Sequence, residues 1–134
     1  MRRLTAMFGA ALLSALAVIL VDRLGRSWES RVAVLGHSME PTLRDGDWLL
    51  VDADAYRNRA PRAGELVVAR DPRDPRRLLV KRAVSVALDG RVSIAGDHVA
   101  HAEDGTRIGP VDASAVIGRP WFRYWPADRV GKID

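Results

Sequence analysis

Ser38 lies in the stretch "GHSMEPTL" (36–43), and Lys81 follows 43 residues later in "LLVKRAV" (78–84). A serine hydroxyl becomes a useful nucleophile only when a neighbouring base takes its proton. The chain has three histidines, His37, His98 and His101. His37 is adjacent to Ser38, and neighbours in an extended segment point to opposite faces, so it is a poor base for that serine. His98 and His101 reach Ser38 only through a tertiary contact that no Ser/His/Asp pattern specifies. Lys81 is the better partner. On a strand it shares a face with Leu79 and Ala83, an apolar setting that disfavours its charge. Its free pKa of ~10.4 must fall by about three units, or ~4 kcal/mol, for it to act as a base near pH 7. An arginine could not do this. Each residue alone has a plainer reading, since a serine before a proline turn ordinarily bonds its own backbone and a strand lysine ordinarily sits in solvent.

The elements that must position the pair are strands. Short β-prone runs at residues 31–36, 48–52, 65–71, 77–86, 91–96 and 116–125 alternate with turn signals at 44–47, 59–65, 71–76, 89–91, 103–106 and 125–128. "LDGR" at 88–91 is the clearest hairpin turn. No segment of the body keeps a helical period, so an all-β domain is expected, a small curled antiparallel sheet or barrel.

Ahead of it, residues 4–21 carry no charge and end at Asp22, Arg23 and Arg26. As a helix such a run reaches about 27 Å, close to the ~30 Å hydrocarbon thickness. The expectation is one transmembrane helix in an amino-terminal anchor, residues 1–26, followed by a catalytic domain, residues 27–134. A cleaved secretory signal is the alternative, with "ALA" at 15–17 as its cleavage site, but the apolar run continues past that point. Arg2 and Arg3 favour the front end inside, while Arg23, Arg26 and Arg31 compete.

"GHSMEPTLRDGDWLLV", then "LLVKRAV", then Gly96-Asp97 together resemble the bacterial signal peptidase I family of Ser/Lys endopeptidases, as does the apolar segment before the serine. The resemblance spans residues 34–130. It implies that Ser38 is the nucleophile and Lys81 the general base, and that the Ser38 N–H is the main oxyanion donor. Gly36, Met39 and Pro41 would border the substrate groove, and Arg82, Asp97 and Asp104 would support the site, Arg82 pairing with Asp104. The third box of the family departs here, reading "GDHVAHAEDGTR". His98 replaces an asparagine, Ala102 replaces the serine that orients the lysine, and Arg107 is displaced by one position. The implied activity removes an amino-terminal signal or leader peptide from a precursor protein, without a cofactor or metal. The implied location is single-pass in the cell membrane, with the catalytic domain extracytoplasmic. Compact size and "RYWP" at 123–126 also resemble the nickel-type superoxide dismutase maturation proteases, which act on one dedicated precursor. Trp121, Tyr124 and Trp125 otherwise read as core and interface aromatics.

Composition narrows the remaining classes. With 134 residues the chain is one domain in size, and with no cysteine it has neither disulfides nor thiolate chemistry. The net charge is +4. The arginines are scattered rather than gathered on one face, which argues against a nucleic-acid partner; the partners expected are a precursor and a lipid bilayer. Three other readings stay open: a metal module on Asp97, His98 and His101, a self-cleaving repressor-like regulator, and an inactive membrane-anchored β scaffold.

Overall fold

The computed structural model describes Ser14, residues 16–22, residues 30–98 and residues 107–134. Most of the expected anchor, with His101, Ala102 and Asp104, lies outside the described residues. Residues 16–22 are helical, and among the described residues no helix is long and apolar enough to cross a membrane.

Eight strands follow: β1 (Arg31–Ala33), β2 (Trp48–Asp52), β3 (Leu66–Asp71), β4 (Asp74–Val86), β5 (Val92–Ala95), β6 (Arg107–Val111), β7 (Val116–Trp125) and β8 (Gly131–Lys132). All pairings are antiparallel, in the order β1-β2-β7-β3-β4-β5-β6, with β8 on β7. The expected all-β antiparallel domain is therefore present. Among the described residues the ladder does not close into a barrel, because β1 and β6 are its edges.

β7 joins the two halves. Val116 and Gly118 pair with β3, whereas residues 119–125 pair with β2. At this crossing a side chain on Gly118 would collide with the backbone of Asp52 and with Val51, so only glycine fits. β3 is buried on both faces from Leu66 to Ala69, which explains its unbroken apolar sequence. Leu66 and Val68 enter one core with Val32, Val34, Leu49 and Val51, while Val67 and Ala69 enter another with Leu79, Ala83, Val92 and Ile94. "LDGR" makes the β4–β5 hairpin, where Gly90 takes a φ of 83°. Trp48 and Trp125, directly paired across β2 and β7, remain largely exposed.

The connection from β1 to β2 carries Ser38 and is closed at its base. Val34 N–H donates to Asp47 O and Gly46 N–H to Val34 O, at 2.8 and 2.9 Å. Asp47, fully buried, accepts from Arg129 at 2.8 Å, from Arg123 at 3.2 Å and from the Arg44 N–H at 2.9 Å. A buried carboxylate is tolerated only when paired in this way, and here it ties the turn to β7 and the carboxyl-terminal segment.

Candidate active site

Inside that connection the chain makes a tight turn. Glu40 N–H donates to His37 O and Leu43 N–H to Met39 O, at 3.1 and 2.9 Å. The Glu40–Pro41 peptide is cis. Met39 and Leu43 drop into the core and hold the turn down, so Ser38 is left half-buried on its outer side. Gly36 takes a φ of +86°, the left-handed region that disfavours any side chain, and its N–H donates to Asp45 Oδ1 at 2.8 Å. Pro41 is exposed.

Lys81 reaches this turn from β4, opposite Val67 of β3, and only 7% of it is exposed. Its Nζ lies 2.6 Å from Ser38 Oγ. Burial pulls the lysine below its ordinary pKa, and the Arg73 and Arg77 charges push in the same direction against Asp71 and Asp97. All three effects follow from placing one ammonium among apolar side chains and like charges.

β5 supplies the third wall. A side chain on Gly96 would collide with the Ser38 carbonyl, and the His98 N–H donates to that carbonyl at 3.0 Å. The next residue, Asp97, takes both prongs of the Arg82 guanidinium at 2.8 and 2.7 Å and the Thr42 hydroxyl at 2.7 Å. Burial raises the Asp97 pKa, but Arg82 and Thr42 outweigh it and hold the carboxyl below its usual value. Arg82 also donates to Gly64 O at 2.6 Å. The Ser38 turn, β4 and the end of β5 are thus stitched together by one carboxylate.

The fork of Arg82 is spent on Asp97, where the sequence suggested Asp104; Asp104 lies outside the described residues. Thr42 and the close seat of Gly96 were not anticipated. His37 turns outward to Glu40, its Nδ1 2.7 Å from Oε1, and that contact raises the His37 pKa. It leaves Ser38 to the lysine. Asp97 is engaged by Arg82 and Thr42, and His101 lies outside the described residues. No cluster of metal-ligating side chains occurs among the described residues. The Ser38 N–H makes no hydrogen bond among them.

A groove of about 320 Å³ opens from this site. β1 and its extension to Leu35 form one wall, and residues 77–81 of β4 form the other, with Ser38 and Lys81 at one end. Three strands separate β1 from β4 in the ladder, so the sheet curls back to make both walls. Among the described residues β1 pairs only with β2, and β5 leaves β4 beyond Arg82, so both walls present strand edges without a partner there. Met39 is core and floor at once, since it is 1% exposed yet lines the groove.

The chain matches the family model described as "Signal peptidase, peptidase S26" over residues 4–90. This chain belongs to the signal peptidase family. It is 30% identical to mitochondrial ATP-independent inner membrane protease subunit 1a of Arabidopsis thaliana, over 78% of this chain and 75% of that protein. It is 30% identical to mitochondrial inner membrane protease subunit 2 of Danio rerio, over 87% and 73%. With subunit 1 of the Homo sapiens protease it shares 25%, over 72% and 69%. A peptidase role follows from membership of the signal peptidase family and from these relatives.

Proposed function

We propose that this signal peptidase family member is a membrane-anchored serine endopeptidase that removes an amino-terminal signal or leader peptide, with Ser38 as nucleophile and Lys81 as general base. The observation that carries the reading is the 2.6 Å contact between Ser38 Oγ and the Nζ of a buried lysine whose charge is disfavoured. In its neutral form Lys81 accepts the Ser38 proton as Oγ attacks the scissile carbonyl. The resulting oxyanion meets the Ser38 N–H, which has no other partner among the described residues. The Lys81 ammonium then returns its proton to the leaving amine. A water, deprotonated by the same lysine, attacks the acyl carbonyl, and the lysine returns that proton to Ser38 Oγ as the C–Oγ bond breaks and the leader acid departs. No metal or cofactor enters these steps. Arg82, Asp97 and Thr42 support the site by fixing Gly96 and the Ser38 turn against each other.

An extended peptide suits the groove, because two unpaired strand edges offer it backbone partners on both sides. Residues 1–26 serve as the anchor and 27–134 as the catalytic domain in this reading. The inner-membrane names of the relatives favour membrane association. They do not favour the cell membrane over another.

The test compares wild type, Ser38→Ala and Lys81→Met in membranes, with a general signal-peptide precursor and a nickel superoxide dismutase precursor as substrates. Wild type is expected to cleave the first, and either variant to lose at least about 10³-fold. Processing of the dismutase precursor alone would narrow the substrate to one leader. A folded wild type that cleaves neither would support the inactive scaffold.

A further inference from the structure

The ionisable residues that line the groove are all cationic: Arg31, Arg77 and Lys81. Each wall runs from an arginine to one member of the Ser38–Lys81 pair, β1 from Arg31 toward Ser38 and β4 from Arg77 to Lys81. Arg77, Leu79 and Lys81 share one strand face, so Arg77 stands four residues, about 13 Å, from the reacting end. Arg77 is exposed and makes no ion pair or hydrogen bond among the described residues, whereas its neighbours Arg73 and Arg76 are held by Asp71 and Asp74. Asp71 is buried and engaged by Arg73 at both oxygens. The groove therefore keeps positive charge at its far end even when Lys81 is neutral.

Building on the peptidase reading above, we infer that Arg77 selects precursors that carry an acidic side chain on the leader side, four residues before the one whose carbonyl is attacked. The spacing follows from the strand itself: a peptide lying along β4 with that carbonyl at Lys81 places every second side chain on one face, and the fourth residue away falls beside Arg77. The leader side is fixed by the chain's own layout. Arg31 is only five residues past Arg26, which follows the apolar run, so on the anchored reading the Arg31 end of the groove is the one tied to the anchor by the shorter stretch of chain. A substrate whose own apolar leader shares that bilayer enters from the same end.

The experiment uses the full chain in neutral detergent and a peptide set differing only by Glu, Gln or Lys at single positions two to six residues before the scissile bond. Wild type is expected to prefer Glu over Gln by about fivefold in kcat/KM at the fourth position before the attacked residue, and Gln over Lys by a similar factor. The preference should flatten at ~0.5 M salt. Arg77→Glu should reverse the order, while Arg76→Glu, one residue away on the other face, should keep it. Equal rates for all three peptides, or a Glu preference that survives in Arg77→Glu, would overturn the inference and leave the peptidase reading intact. So would an effect of Arg77→Glu that is equal for all peptides and appears only in vesicles containing phosphatidylglycerol, which would make Arg77 a lipid contact. If no peptide is cleaved, binding of the same set to the Ser38→Ala chain, read by fluorescence anisotropy, still decides the charge preference apart from the chemistry.

Discussion

At the scale of single residues, the general-base role proposed for Lys81 sets chemistry against folding. Below its depressed pKa it is charged in both the folded and unfolded chain, and the fold bears the full cost of burying that charge. Above about 10.5 it is neutral in both, and the cost is gone. Stability from this group therefore rises with pH between its lowered folded value and 10.5. Lys81→Met is expected to abolish cleavage yet raise the melting temperature by about 4 °C at pH 7, the shift that ~1 kcal/mol gives a domain of roughly 100 residues. The gain should shrink as the pH approaches 10.5. The same lowered pKa dictates the rate profile: kcat/KM should rise with pH through a single ionisation below the ordinary lysine value, and Arg77→Gln, by removing one of the like charges, should move that ionisation upward. A calorimetric scan series and a pH–rate profile read the two effects. A lysine variant that loses both activity and stability at neutral pH would contradict this account.

At the scale of elements, Gly96 shows how the end of β5 seats Ser38. Gly96→Ala must push the end of β5 away from the Ser38 carbonyl, breaking the His98 N–H bond and loosening the Asp97–Thr42 link. A misplacement of about 1 Å can cost about 10²-fold in kcat, which is the loss expected. Gly90→Ala, in the remote β4–β5 turn at a φ of 83°, should cost ~1 kcal/mol of stability with kcat unchanged. The contrast separates strain from positioning. Much of this was legible beforehand. β2 and β7 have the limits that their β-branched and aromatic runs predict, and Ser38 and Lys81, both singled out in the sequence, lie in hydrogen-bond contact. β6 was missed because Gly109 and Pro110 read as breakers, which an edge strand tolerates, and β8 has only two residues. β4 begins at Asp74, inside what reads as a turn, since its outer end extends past β5 and accepts Pro75. The partner of Arg82 depends on register: Arg82 stands opposite Ala95, so Asp97 lies two residues on along the same face. Sequence spacing alone could not choose it over Asp104.

At the scale of the whole molecule, both buried clusters among the described residues draw on Val32 and later residues. A chain beginning at residue 27 is therefore expected to fold as the full chain does. What the front end would supply is location. Leu35 and Leu78, 83% and 40% exposed, stand at the groove, one on each wall. An anchor there would hold the groove at the bilayer surface and make the meeting with a membrane-held precursor effectively intramolecular, worth 10² or more in effective concentration. Full-length protein should float with lipid vesicles and stay bound in ~1 M salt, whereas the chain from residue 27 should remain soluble. The shortened chain should cleave a short soluble peptide at a similar kcat/KM but process a vesicle-embedded precursor at least about 10²-fold more slowly. Flotation together with the two cleavage rates tests this directly. Equal processing of the embedded precursor by both forms would show that the groove finds its substrate without being tethered, and the role of residues 1–26 would then have to lie elsewhere than in catalysis.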